Sequence, residues 1–118
     1  MAGIDESVLA EIAEMVGDDD SMILELVGIY LGQLDELSTG IASARVAGDC
    51  KALAFNAHSL KSSSANLGAT ALAAQCSVFE QKAREGRLPT PSEVYVFEVE
   101  IQTVRGWFGL WREAKRVA

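Results

Sequence analysis

The sequence has one histidine, His58, and two cysteines, Cys50 and Cys76. One imidazole and two dispersed thiols cannot supply the three or four ligands of an ordinary zinc site. Two cysteines in separate apolar-patterned segments read as reduced core or half-buried thiols of a cytoplasmic protein, not as a disulfide framework. Proline is equally scarce, with Pro89 and Pro91 both in one loop, and 49% of residues are hydrophobic. That balance argues against disorder. Long apolar runs are missing too. The most apolar stretch, residues 22–31, includes Glu25, so it is too short and too charged to insert in a bilayer. The acidic N-terminus is not a signal peptide. There is no glycine loop to cradle a nucleotide phosphate and no magnesium-carboxylate pattern, which excludes a kinase site. Strand alternation is absent except for Val94-Tyr95-Val96-Phe97, which merges into a helical pattern.

What remains is enough for one domain spanning residues 1–118, with a core that needs neither metal nor disulfide. The net charge of −7 disfavours nucleic acid as a partner. Residues 1–50 carry eleven Asp or Glu and a single basic residue, Arg45, whereas residues 51–118 carry nine Lys or Arg against six acids. The second part is locally basic, either as ordinary solvated helix faces or as a cationic patch for an anionic group or acidic surface.

The apolar spacing predicts five helices. A short first helix follows Asp5 as N-cap, with Val8, Leu9, Ile12, Met15 and Val16 as its apolar positions and Gly17 as its stop. Asp18, Asp19 and Asp20 suit the start of a second helix over 21–46, where carboxylates oppose the dipole; they lack the spacing and closing Glu of a calcium loop. Ile23, Leu26, Val27, Tyr30, Leu34, Leu37, Ile41 and Ala44 form its stripe, and Gly28, Gly32 and Gly40 read as places of close helix packing. Gly48-Asp49 ends that helix and caps a third over 50–66. Gly68 ends the third, Thr70 is the expected cap of a fourth over 71–85, and Lys82 and Arg84 suit its C-terminal dipole. After the proline loop, Ser92 is the expected cap of a fifth over 93–116, with Phe97, Ile101, Val104, Phe108 and Trp111 as a bundle seam. The fold class is all-α: an antiparallel four-helix bundle with an additional short N-terminal helix.

A helical wheel places His58 opposite the core. Leu53, Leu60 and Leu67, with Ala57 and Ser64, define a buried stripe whose middle lies roughly 140° from His58. Lys51, Ala54, Lys61, Ser62 and Ala65 lie within roughly 60° of the histidine, and Phe55 at the edge of that sector. An exposed imidazole thus stands among small residues, beside two lysines with no local acid to neutralise them. A serine hydrolase would need a carboxylate orienting the ring and an oxyanion hole; Ser59 and Ser62–Ser64 read only as small polar helix residues. Two readings stay open from these residues: a solvated surface histidine, and a nucleophile for a phosphoryl group whose oxygens the Lys61 ammonium neutralises.

The run Ala57-His58-Ser59-Leu60-Lys61-Ser62-Ser63-Ser64-Ala65-Asn66-Leu67-Gly68-Ala69 closely resembles the signature of histidine-containing phosphotransfer (Hpt) domains. The Gly17-Asp18-Asp19 turn, the Gly48-Asp49 turn and Phe79-Glu80-Gln81-Lys82-Ala83-Arg84 are similar to further family features, so the likeness covers nearly the whole chain. It implies a phosphorelay carrier: His58 takes a phosphoryl group from one receiver-domain aspartate and passes it to another, and Lys61 stabilises it. It implies docking or supporting roles for Ser62, Ala54, Phe55, Ala65, Glu80 and Arg84. Glu80 falls where relatives frequently carry glutamine, and Ser62 where many carry glycine, a change that bears on the approach of the partner. The resemblance implies no intrinsic cofactor, magnesium on the receiver partner, and no autokinase activity. The expected partners are response-regulator receiver domains and a sensor or hybrid histidine kinase. The expected location is cytoplasmic, as a free protein or as the cytoplasmic part of a membrane sensor kinase. The alternative is a module of the same fold that binds a receiver without phosphoryl turnover.

Overall fold

The computed structural model describes residues 3–17 and 20–117. They form α1 (Ser7–Met15), α2 (Asp20–Ala47), α3 (Cys50–Asn66), α4 (Thr70–Arg84) and α5 (Pro91–Val117), with no strand among them. Helices α2 to α5 make the four-helix bundle, elongated to 46 Å along one axis. The β-like run 94–97 lies within α5: Phe97 joins the helical seam of Ile101, Val104 and Phe108, while Tyr95 and Val96 face solvent. Of the acidic triplet, Asp20 opens α2; Asp18 and Asp19 lie outside the described residues.

Two contacts fix the antiparallel register of α2 against α3. Tyr30 and Ser64 share a buried hydroxyl hydrogen bond of 2.8 Å. Ten residues along α2, a Cβ on Gly40 would come within 2.9 Å of the Asn56 amide. Close packing is therefore the reason for glycine at 40, whereas a Cβ on Gly32 would meet open space. Helix α5 joins α2 through Arg105 and Asp35, and joins α4 through Lys82–Glu93 at 2.6 Å and the Phe79 and Phe97 rings, 4.8 Å between centroids.

Three caps differ from expectation or sharpen it. Asp49 caps α3 by accepting from the backbone N–H of Ala52 at 3.0 Å, as its place after Gly48 predicts. Thr70 does not cap α4; it is the first helical residue, and its hydroxyl donates to the Gly3 carbonyl. Ser92 does not cap α5 either. Thr90 and Glu93 form a reciprocal capping box, with Pro91 at the first helical position, where its missing N–H would have no helical partner anyway.

The N-terminal addition clasps the α3–α4 corner. Asp5 N–H donates to Gly68 O at 2.8 Å and Ala71 N–H to Gly3 O at 3.1 Å. The Asp5 carboxylate then accepts from the Ser7 N–H, starting α1. Leu9 of α1 is buried and Ile12 half-buried against the core, but Met15 faces solvent. Leu26 on α2, expected in the apolar stripe, is exposed.

Candidate functional site

Helix α3 carries His58 in its middle, held from both sides. Leu53, Leu60 and Ala57 are fully buried beneath it, with no measurable exposure. The His58 side chain keeps 55% of its exposure. Ser62, Ala65, Lys51 and Phe55 are exposed around it, and Phe55 retains 70% of its surface.

The expectation for Ala54 requires correction. It is buried, not part of the open face. The wheel treats burial as one stripe, but α4 packs along the flank of α3 that carries Ala54 and Lys61. Ala54 lines a shallow depression with Cys50, Lys51, Phe55, Ala83 and Arg84, between the two helices.

The same flank supplies what the third helix lacked in isolation. Glu80, one face of α4, is buried with its side chain only 9% exposed. Its Oε1 accepts from Lys61 Nζ at 2.7 Å, and its Oε2 lies 2.9 Å from His58 Nδ1. Arg84, one turn further along α4, donates to Oε2 from Nε at 3.1 Å and from a terminal nitrogen at 2.7 Å. So Lys61 does have an acid beside it, and the ring does have a carboxylate against it; both come from 19 and 22 residues away in sequence. Lys61 above all, with Arg84 and His58, holds the Glu80 carboxyl down at about 2, although burial opposes this. The carboxylate is therefore ionised throughout the physiological range. Arg84 and Lys82, expected to serve the helix dipole, each pair with a specific carboxylate, Glu80 and Glu93.

Beneath the site the α3 serines divide. Ser63 donates back to the Ser59 carbonyl, Ser62 faces solvent, and Ser64 is fully buried on the Tyr30 hydroxyl. Cys76, one turn before Glu80, is fully buried, and burial pushes its thiol up to about 12, which keeps it an inert thiol. Both cysteines are free.

The assembled site is an accessible imidazole with Nδ1 engaged and Nε2 directed away from that contact, next to an ammonium held by the same carboxylate. Comparison with known proteins gives this geometry a family. The family model described as Hpt domain matches residues 25–107, most of the chain. The chain belongs to the Hpt domain family. Its function is histidine phosphotransfer in a phosphorelay. This Hpt domain is 32% identical over 85 residues to the phosphorelay protein LuxU of Vibrio cholerae serotype O1, covering 72% of this chain and 74% of that protein. It is also similar to the crystal structure of histidine-containing phosphotransfer protein B (HptB) from Pseudomonas aeruginosa PAO1. That match has a TM-score of 0.86 and 32% identity and covers 96% of both chains. Phosphorelay carriers of this kind are phosphotransfer proteins, not kinases, and work with receiver domains and kinases as a class. No helix among the described residues is long and apolar enough to cross a membrane.

Proposed function

We propose that His58 is the phosphoryl-carrying residue and that Nε2 is the atom that carries the group. The observation behind this reading is that Nδ1 is engaged by Glu80 at 2.9 Å while the ring as a whole stays half exposed. A receiver's aspartyl phosphate approaches the open face. The Nε2 lone pair forms the N–P bond as the P–O bond to the aspartate breaks, and the aspartate leaves as a carboxylate. Transfer to a second receiver reverses these events.

Lys61 stabilises the phosphoryl oxygens. An ammonium has three donors, and Glu80 takes one of them. The others are free to meet charge developing on the transferring group. Ser62 and Ala65 leave room for the incoming receiver, and Phe55 gives its docking surface an apolar edge. Lys51, Lys61 and Arg84 outnumber Glu80 on this face, which suits the acidic, magnesium-holding pocket of a receiver domain. The magnesium belongs to that partner. The domain carries phosphoryl groups without phosphorylating itself from ATP. It acts in the cytoplasm, either free or as part of a larger hybrid sensor kinase.

The test is incubation of the full chain with a phosphorylated receiver and magnesium, with acid-labile label on the domain as the readout. His58→Gln abolishes labelling under this reading. Persistent labelling of that variant, or no labelling of the wild type by any receiver, overturns it. Retained regulation by His58→Gln would favour a binding module without turnover.

A further inference from the structure

Helix α5 carries two apolar seams, and the bundle uses only one of them. Phe97, Ile101, Val104 and Phe108 are buried. On the far side of the helix, roughly 150° away, Val96, Val99, Thr103, Gly106 and Leu110 recur at alternating steps of three and four residues. That is the spacing of a coiled-coil a/d seam. Its apolar members face solvent: Val96 is 54% exposed, Val99 49% and Leu110 76%.

The middle of this outer seam is built for close approach. Gly106 lies inside α5, where glycine weakens a helix relative to alanine. A Cβ there would meet nothing within 4 Å, so no packing among the described residues requires the glycine. The Thr103 hydroxyl donates back to the Val99 carbonyl at 3.0 Å and is satisfied without water.

The charge along α5 selects the occupant. Residues 91–103 carry Glu93, Glu98 and Glu100 and no base, whereas residues 104–117 carry Arg105, Arg112, Lys115 and Arg116 against Glu113. A second copy of the helix running antiparallel sets each acidic half beside a basic half. A parallel copy would set like against like. In the antiparallel register that matches a to d positions, Val99 meets Leu110 of the second copy and Thr103 meets Gly106 of the second copy, each twice across a twofold axis.

We propose that the outward face of α5 is a self-association surface, through which two copies of this chain pair antiparallel with Thr103 and Gly106 at the twofold axis. Helix α3 packs on α2 and α4, and α5 packs on the same two helices from the other side. The outer seam therefore points away from His58, and the dimer presents two open histidines at once. A single helix-on-helix seam is a small interface, under about 1,200 Å² in total, so the dimer forms at high protein concentration and dissociates on dilution.

The experiment is sedimentation equilibrium of the full chain from about 10 μM to about 1 mM, a range that brackets weak association. The wild type is expected to move from 12.6 kDa towards twice that mass. Val99→Glu and Leu110→Lys each place a charge in the seam, and each should weaken dimerisation at least about tenfold. Both positions are exposed, so circular dichroism should show both variants folded. Combining the two substitutions should restore dimerisation, because each new glutamate then meets a new lysine of the second copy. Positions 99 and 110 lie about 16 Å apart on one helix, so the recovery cannot arise within a chain. Gly106→Lys gives effects of opposite sign. It should raise the melting temperature of the dilute monomer, since lysine is the better helix former, and weaken the dimer.

A wild type still monomeric at about 1 mM overturns the proposal. So do single-charge variants or Gly106→Lys that dimerise like the wild type, and a double variant that stays monomeric. Leu110→Lys should accept label from a phosphorylated receiver, and from phosphoramidate, a reagent that needs no receiver, as the wild type does. Loss of receiver labelling alone would make the seam a receiver-docking surface, and would also overturn the proposal.

Discussion

The hydroxyls of Tyr30 and Ser64 meet at 2.8 Å in the bundle interior, with Ser64 wholly buried and Tyr30 almost so. The bond ties α2 to the helix that carries His58, and burial pushes the Tyr30 phenol up, so it stays neutral and available to hydrogen-bond. Tyr30→Phe strands the Ser64 hydroxyl in the core and should cost about 1–3 kcal/mol in chemical denaturation. Adding Ser64→Ala to it should recover part of that loss, since the stranded hydroxyl is then gone. A double variant whose loss equals the sum of the two single-variant losses would show that the pair has no energetic coupling.

Acid should weaken the fold through two carboxyls. Glu80 is held at about 2 by Lys61 first and then Arg84 and His58, and Glu93 at about 2 by Lys82 and Thr90; both ordinarily sit at 4.5. A carboxyl whose value falls on folding stabilises the native state fully above its unfolded value, and that contribution fades as pH drops through the folded one. Stability should therefore decline progressively from about pH 4.5 to about pH 2. Denaturant midpoints across this range should drop less steeply in Glu80→Gln than in wild type. Parallel curves would remove Glu80 from the acid response.

Lys61→Ala should slow transfer while leaving the fold intact. The Lys61 side chain is about one-third exposed, and Glu80 keeps Arg84 and His58 as partners. Loss of one charge-assisted contact to the phosphoryl group, about 1.5–3 kcal/mol, corresponds to roughly ten- to a hundredfold in rate. Stopped-flow transfer from a phosphorylated receiver measures this, and an unchanged rate would take Lys61 out of the chemistry.

Ser62→Trp separates docking from chemistry. Position 62 is exposed, one turn from His58 on the same face of α3. The indole should reduce transfer from a receiver at least about tenfold by blocking approach, yet leave labelling by phosphoramidate close to wild type. Equal loss in both assays would place the defect in the histidine itself and not in docking.

Gly68→Ala should loosen the N-terminal clasp. Gly68 has φ +86°, and a Cβ there would lie 2.5 Å from the Asp5 carbonyl oxygen. The left-handed backbone alone costs an alanine about 1–2 kcal/mol, and the clash adds to it. Thermal unfolding should shift downward, with faster amide exchange at Asp5 and Ala71, whose N–H groups bond across this corner. Exchange at wild-type rates would mean that the clasp survives.

The five helices and their breaks were legible in the chain because they depend on neighbours in sequence. Apolar residues at three- and four-residue steps mark the seams, and Gly48-Asp49 and Gly68 mark stops at left-handed backbone. The face of α3 that carries His58, Lys61 and Ser62 followed from the same periodicity, and the run around His58 carried the resemblance to Hpt domains. Caps were less legible where two candidates stood close together: Thr90 and Ser92 are both good capping residues, and Glu93 decides for Thr90 by closing the box.

The carboxylate at the heart of the site could not be read from α3. A wheel orders residues around one axis but says nothing of which helix lies alongside. Only the packing of α4 on α3 buries Ala54 and brings Glu80 between His58, Lys61 and Arg84. Local sequence thus determined that an imidazole and an ammonium stand on the open side of a helix, because helical spacing is a short-range property. Tertiary structure decided which nitrogen of that imidazole is free, because the partner that engages the other one arrives from a different helix.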